Sequence, residues 1–226
     1  MMVMLTNNTK ADVHYLAGKY EGLVGHLYGL GGFRGPYRWL PYALDNGAFP
    51  AWVNGEPWDR DGFLALVARA AKSGQAPLWV VVPDAVGDRS ATLALWGEWA
   101  PRLSTYGWPL AFAVQDGMSA ADVPSEASVV FVGGTTAWKW RTLADWCSAF
   151  PRVHVGRVNT ERRLWQCWRS GAESCDGTGW FRGNKERMRG LLNYLVRAQC
   201  GAGPCPTIES RTLFGEFHYA KRGKTC

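Results

Sequence analysis

The chain has 226 residues, a formal net charge of +6 and a hydrophobic content of 47%. This combination allows a sizeable buried core and excludes an intrinsically disordered chain. No stretch approaches the roughly 20 apolar residues that a membrane span needs, and the first eight residues do not have the pattern of a secretory signal peptide. We therefore expect a cytoplasmic protein that makes no use of a membrane.

Two features of the composition stand out, the 13 tryptophans and the excess of 25 Lys and Arg over 19 Asp and Glu. One interpretation is a basic, aromatic-rich surface that suits nucleic acid. The other is a tryptophan-rich core beneath a mildly basic surface. The six cysteines are scattered, and without a secretory signal they do not predict disulfides.

In chain order, short apolar runs alternate with longer segments of helical periodicity. The first forty residues offer two weaker strand candidates, and six clearer ones follow. The predicted strands are Val13–Leu16, Gly25–Tyr28, Tyr42–Asp45, Leu78–Asp84, Leu110–Gln115, Ser128–Gly134, Arg152–Arg157 and Glu173–Asp176. The predicted helices are Trp58–Lys72, Arg89–Leu103, Trp138–Phe150, Thr160–Ser170 and Asn184–Ala198.

Alternation of strands and helices predicts a parallel sheet. Eight such units would close as a single α/β domain, a (β/α)8 TIM-type barrel over residues 1–226, and a doubly wound open sheet is the alternative. Gly201-Ala202-Gly203-Pro204 ends the last helix. We expect the residues from about 200 to 226 to form a C-terminal tail packed on the barrel.

The predicted strands share one feature, because each of the six clearer ones ends in a polar residue or a glycine. These endings are Asp45, Asp84, Gln115, Gly133-Gly134, Gly156-Arg157 and Asp176. In a parallel barrel the carboxyl ends of the strands meet at one rim, which is where active sites lie. Polar turn residues explain any one of these endings, but they explain all six together poorly.

Three aspartates around one pocket favour acid–base chemistry. Like charges in an apolar pocket drive the pKa values of the carboxyl groups apart, so that one group can act as the acid and another as the base. One carboxylate can attack a sugar carbon while another moves the proton. Gln115 and the backbone amides of Gly133-Gly134 would read the edge of a planar heterocycle, and Phe49 would stack on it. The pattern predicts a nucleobase pocket.

These segments resemble the tRNA-guanine transglycosylases and the related enzymes that insert 7-deazaguanines into the DNA of phages and bacteria. The similarity runs from about residue 40 to residue 180 and rests on six short motifs in the family's order. They are Asp45-Asn46-Gly47-Ala48-Phe49, Pro83-Asp84, Val114-Gln115-Asp116-Gly117, Val132-Gly133-Gly134, His154-Val155-Gly156-Arg157 and Gly171–Asp176.

The resemblance implies a base exchange in which guanine in DNA is replaced by a 7-deazaguanine such as the 7-cyano form, with no redox cofactor. Asp176 would be the nucleophile at the sugar, forming a covalent aspartyl–sugar intermediate, and Asp45 the general acid and base. The residues implied for binding the base are Asp84, Gln115, Gly133, Gly134, Phe49, Gly156 and Arg157.

The chain also departs from the family's pattern. The tRNA enzymes carry a Cys-x-Cys-x-x-Cys…His zinc site, whereas here Cys200, Cys205, His218 and Cys226 are loosely spaced, and we expect no metal. The short chain favours DNA over tRNA as the partner and the compact enzymes of phages, which would place the protein in the host cytoplasm. The sequence leaves undecided whether the protein forms a homodimer or needs a helper protein that opens the duplex. Asp116 stands where the family has a glycine, and this difference is unexplained.

Other functions stay possible at this stage. A nucleoside or base–sugar hydrolase would use the same pocket with water as acceptor, and a non-catalytic barrel would only bind nucleic acid. The last third of the chain is rich in basic residues, which predict either a track for a phosphate backbone or a solvated helix face. They are Arg157, Arg162, Arg163, Arg169, Arg182, Lys185, Arg187 and Arg189.

Overall fold

The computed structural model describes residues 1–6 and 11–204, and within them eight parallel strands form a closed barrel in chain order. The expected α/β barrel is thereby confirmed, and the open sheet is excluded. The last strand pairs with the first, with Cys175 opposite Val3 and Asp176 opposite Met4. The expected C-terminal tail and three of the four zinc candidates, Cys205, His218 and Cys226, lie outside the described residues.

The strands are short and the helices follow them on the outside of the barrel. The strands are β1 Met2–Thr6, β2 Val24–Tyr28, β3 Tyr42–Leu44, β4 Val80–Val81, β5 Leu110–Val114, β6 Val129–Val132, β7 Val153–Val155 and β8 Ser174–Gly177. The helices are α1 Ala11–Lys19, α2 Ala48–Asn54, α3 Arg60–Lys72, α4 Arg89–Ser104, α5 Thr136–Ala149, α6 Glu161–Ser170 and α7 Lys185–Gln199. A 3-10 turn spans Ala120–Asp122.

The start of the chain differs from its prediction. The segment Val13–Leu16 is part of α1 rather than a strand. Its apolar residues Val13, Leu16, Ala17 and Tyr20 follow the i, i+3, i+4, i+7 spacing of a helix face. The strand that opens the barrel is instead β1, which the prediction had passed over.

The core has two layers because side chains on a strand alternate between its faces. On β5, Leu110, Phe112 and Val114 pack outward against the helices, whereas Ala111 and Ala113 point into the barrel. These small residues face an interior that also holds Trp79, which is fully buried. The interior is therefore a packed core, as it is in barrels of this type.

The inner face becomes polar around β7 and β8. His154, Ser174 and Asp176 occupy inward positions there, whereas the inward residues of the neighbouring strands β1 and β6 are mainly apolar. The inward alternation places Thr6, at the carboxyl end of β1, and Asp45, directly after β3, at the mouth of the barrel. No helix of the described residues is long and apolar enough to cross a membrane.

Candidate active site

A cavity of about 720 Å³ opens at the carboxyl end of the barrel. Its walls come from the ends of several strands and from α2, and Asp45, Asp84 and Asp176 all line it. The cavity therefore brings together the three aspartates that the sequence singled out. The other predicted residues that line it are Phe49, Gln115, Gly133, Gly134 and Arg157.

Three polar groups of the protein contact the carboxylate of Asp176. Asp176 is 7% exposed, and its Oδ1 accepts a hydrogen bond of 3.1 Å from the backbone N–H of Arg157 and lies 3.2 Å from His154 Nε2. Thr6 Oγ1 lies 3.5 Å from the other oxygen. These contacts fix the carboxylate on the floor of the cavity with one edge toward the opening.

His154 is in turn fixed from the other side. Its Nδ1 lies 2.8 Å from Ser174 Oγ, and its ring packs between Trp79 and Phe131 at centroid distances of 4.7 and 4.8 Å. It is fully buried and does not line the cavity. His154 is thus a packed, hydrogen-bonded strand residue that also contacts Asp176.

Asp84 is held by two amide side chains. Asn46 Nδ2 and Gln115 Nε2 each donate to one of its carboxylate oxygens at 2.7 Å. Gln115 also accepts from the backbone N–H of Gly87 at 3.0 Å, so both ends of its amide are used within the protein. Gln115 thus positions Asp84 in this structure, where the sequence predicted direct contact with a ligand.

Burial raises the pKa of Asp84 to about 6, although the hydrogen bonds from Asn46 and Gln115 and the charge of Arg157 act in the opposite direction. Asn46 completes this arrangement, because its Nδ2 also donates to the Val82 carbonyl and its oxygen accepts from the N–H of Ala48. Asn46 was not among the residues predicted for the site, although its position next to Asp45 is a signal in the sequence.

Asp45 has the most strongly raised pKa of the cavity. Burial raises it first, and the charges of Asp176 and Asp84 raise it further, to about 7, against the opposing effect of nearby backbone N–H groups. Because the group titrates near neutral pH, both its acid and its base form are populated there. This is the property required of a general acid–base catalyst.

Arg157 lies next to the carboxylate of Asp176 and has an unusual backbone conformation. Its φ of 62° is left-handed, and within the described residues no other side-chain-bearing residue has a positive φ. Its guanidinium lies 4.2 Å above the ring of Phe49 and donates to the Gly134 carbonyl. A non-glycine residue in this region is strained, and such strain is concentrated at functional sites.

Gly133 and Gly134 line the wall of the cavity next to Arg157. Gly134 has a φ of 62°, and a Cβ there would approach Asp116 Oδ1 to 2.6 Å. Asp116, which the sequence left unexplained, accepts from the backbone N–H and the hydroxyl of Thr135 and so links two loops of the rim. Gly156 lies behind Asp176 and is not among the described residues that line the cavity.

The charge of the cavity is opposite to that of the whole chain. Five acidic residues and two arginines line it, although the protein carries a net charge of +6. They are Asp45, Glu56, Asp59, Asp84, Asp176, Arg157 and Arg182. The site therefore offers a ligand mainly hydrogen-bond acceptors. Among the residues of ranges 1–6 and 11–204, no cluster of three or more acidic, histidine or cysteine side chains has the arrangement of a metal site.

Comparisons with known proteins bear on the expected family. No protein-family model matches the chain, and no curated protein matches it. A solved structure titled "Native KDPGal structure" is similar, with a TM-score of 0.50, 11% sequence identity and coverage of 88% of this chain and 95% of that chain. At this identity the similarity shows the barrel fold alone.

These findings contradict the resemblance to guanine transglycosylases. The solved structure compared above is titled for KDPGal, no family model or curated protein supports the transglycosylase family, and the alternatives built on the same resemblance gain no support. The predicted base-exchange activity and the predicted family membership are therefore wrong. Six short motifs in order misled because every parallel barrel places polar residues and glycines at successive strand ends, whatever its chemistry.

Proposed function

We propose that this protein is an enzyme that performs general acid–base catalysis on a small, nitrogen-containing planar substrate. The observation that carries the proposal is the convergence of Asp45, Asp84 and Asp176 on one cavity at the carboxyl end of the barrel. Active sites of this fold lie at that end and are built from residues of different strands. Here β3, β4 and β8 each supply one carboxyl group.

The three carboxyl groups have different surroundings, and these support different roles. Asp45, with a pKa of about 7, donates a proton to the substrate and takes one back in the same cycle. Asp176 is fixed by the N–H of Arg157 and by His154, which suits a stationary charge that stabilises a positive centre. Asp84 is fixed by two amides and suits recognition of a donor on the substrate.

The acceptor-rich lining selects the class of substrate. Carboxylates form their strongest neutral-pH contacts with N–H donors, in particular with charged or paired ones. Phe49 and the guanidinium of Arg157 form a flat, stacked wall along the cavity. A planar heterocycle that carries an amino group satisfies both features, because its edge pairs with carboxylates and its face packs along that wall.

The first experiment measures binding of a minimal probe, 2-aminopyridine, by NMR titration. When its ring nitrogen is protonated, its amino group and ring N–H both donate to a carboxylate in a two-point contact, and 2-methylpyridine has the same shape without the amino donors. We expect Asp84→Asn to weaken 2-aminopyridine binding by about tenfold, the effect of losing a charge-assisted hydrogen bond. The exposed Asp145→Asn variant is the control. Equal binding of the two probes, or no effect of Asp84→Asn, overturns the proposed substrate class.

A second measurement tests the catalytic role. Protein labelled with 13C at the aspartate carboxyl carbons is titrated, and the Asp45 signal is identified by its loss in Asp45→Asn. We expect a midpoint near the pKa of about 7. In a screen of amino-substituted heterocycles, Asp45→Asn is expected to abolish any turnover while leaving binding intact. An Asp45 midpoint near that of an ordinary aspartate rejects the assignment of the proton-transfer role.

A further inference from the structure

Lys139 is a buried cation that lies outside the lining of the cavity. It lies on α5, is 1% exposed, and its ammonium group donates a hydrogen bond to the carbonyl of Gly156. The ring of Trp140 lies 5.1 Å from the ammonium. Burying a charge in this way costs free energy unless its partners compensate for it. A neutral side chain of the same size would pack there at a lower cost.

The carbonyl that Lys139 binds belongs to the same peptide group as the N–H of Arg157. That N–H donates to Asp176 Oδ1 at 3.1 Å. A single peptide plane is thus held at both ends, by an ammonium on its oxygen and by a carboxylate on its hydrogen. Hydrogen bonds in series polarise one another in a low-dielectric interior, so each end strengthens the contact at the other.

The same peptide leads into the strained residue of the site. Arg157 has the left-handed φ of 62°, and its guanidinium packs over Phe49. Such a conformation persists only where its surroundings over-determine it. The bond from Lys139 is one of the contacts that fix this peptide, and the bond to Asp176 is the other.

The geometry points to Lys139 as a positioning residue that acts through the Gly156–Arg157 peptide to hold both the Asp176 carboxylate and the Arg157 side chain in the cavity. This inference rests on the proposed function, because Asp176 and Arg157 belong to the proposed catalytic site. Lys139 itself touches no ligand. Its effect is transmitted by the peptide group, and His154 independently contacts the same carboxylate oxygen of Asp176.

The electrostatics of Lys139 fit this role. Burial and the charge of Arg157 lower its pKa to about 8, whereas the charge of Asp176 raises it. The thiol of Cys167 on α6 also favours the charged amine, and Arg163 on α6 opposes it. At neutral pH the amine is protonated and donates to the carbonyl with a full charge.

The test compares three variants of the whole chain by NMR. Lys139→Met removes the charge and the donor at similar volume, Lys139→Gln keeps a shorter neutral donor, and Lys185→Met changes an exposed lysine at the start of α7 as the control. We expect Lys139→Met to move the Arg157 amide proton upfield and to speed its exchange with solvent about tenfold, as for a lost hydrogen bond to a charged group. Lys139→Gln is expected to show an intermediate shift, and Lys185→Met none.

A purely structural role for Lys139 predicts a different result. The melting temperature of Lys139→Met would fall, but the Arg157 amide would keep its shift and exchange rate, and this result overturns the inference. If Lys139→Met does not fold, the wild-type protein supplies the test. Its Arg157 amide shift must then follow the titration of the Lys139 side-chain nitrogen. An amide shift that does not change over this titration also overturns the inference. These measurements need no ligand, so their outcome is independent of the 2-aminopyridine experiment.

Discussion

The carboxyl group of Asp45 is held at a free-energy cost. Its surroundings favour the protonated form, since burial and the charges of Asp176 and Asp84 together raise its pKa to about 7. In the unfolded chain the same group titrates near 3.8. Between these two values the folded protein binds more protons than the unfolded chain, so the free energy of unfolding falls as the pH rises from about 4 to 7.

This cost predicts that Asp45→Asn stabilises the protein at pH 8. The amide keeps the shape of the side chain but cannot ionise, so the variant avoids the loss of stability that the wild type undergoes between about pH 4 and 7. We expect a gain of about 1 kcal/mol in the free energy of unfolding at pH 8, typical of relieving strain at an active site, and a smaller gain at pH 5. Urea denaturation at both pH values measures it.

The exposed Asp145→Asn variant serves as the control for that experiment, because its carboxyl group lies on the outer surface of α5. It is expected to unfold like the wild type at both pH values. An Asp45→Asn protein that shows no gain at pH 8 over its gain at pH 5 would mean that Asp45 is ionised at little cost. The acid–base role would then lose its physical basis.

At the level of elements, the sequence pattern was informative where apolar runs end in a polar residue. It predicted β3, β5, β6, β7 and β8 to within a few residues, and it placed Asp45 and Asp176 at the mouth of the barrel. The helix α2 was missed because its N-cap residue Gly47 has a left-handed conformation and its first turn carries Pro50. Both residues are turn signals, yet proline is tolerated in the first turn of a helix.

Other parts of the site were not predictable from local pattern. The contacts of Asn46 with Asp84 and of His154 with Asp176 join residues that are 38 and 22 positions apart, so no spacing rule contains them. The sequence around Lys139 does contain a signal of its buried position. It lies four residues before Leu143 and seven before Trp146, on the buried face of α5, where a charged residue is rare unless it is paired.

Two helical glycines provide a matched test of how the elements pack. Gly190 lies in α7, where an added Cβ would come within 2.9 Å of Glu161 Cβ on α6, whereas Gly97 in α4 has open space around it. We expect Gly190→Ala to destabilise the protein by about 1–3 kcal/mol through overpacking. We expect Gly97→Ala to stabilise it by about 0.5–1 kcal/mol, because alanine restricts the unfolded chain.

Thermal and urea unfolding of the two variants provide the comparison. The substitutions are chemically identical, so the difference in sign isolates the close approach of α6 and α7. If Gly190→Ala is as stable as Gly97→Ala, the two helices are further apart than described. The position of the β7–α6 loop, which carries Arg157, would then need revision as well.

At the scale of the whole molecule, closure of the barrel makes distant segments depend on one another. The strand β1 pairs with β8, although more than 160 residues separate them, and both flank the carboxylate of Asp176. A closed sheet has no free edge at which strands can separate one by one. The acidic mouth also depends on closure, because its carboxyl groups come from β3, β4 and β8.

Closure of the barrel predicts that a destabilising substitution in β1 lowers the protection of amides on the opposite side of the barrel. Val3 is fully buried, and Val3→Ala is expected to lower global stability by about 2 kcal/mol. Amide hydrogen exchange then reports whether the barrel opens as one unit. The amides of Val82 on the β4 side and Val130 on β6, both bonded across strands, are expected to lose as much protection as that of Val3.

The variant Val53→Ala changes a residue that is 58% exposed and is expected to leave all three amides unaffected. Loss of protection confined to β1 and its neighbours β2 and β8 would show that the barrel opens at this seam. That result would change the interpretation of the cavity, because Asp176 and Thr6 lie at the seam while Asp45 and Asp84 lie beyond it. A uniform loss means that the geometry of the three carboxyl groups is as stable as the fold itself, which is the rigid arrangement that acid–base catalysis requires.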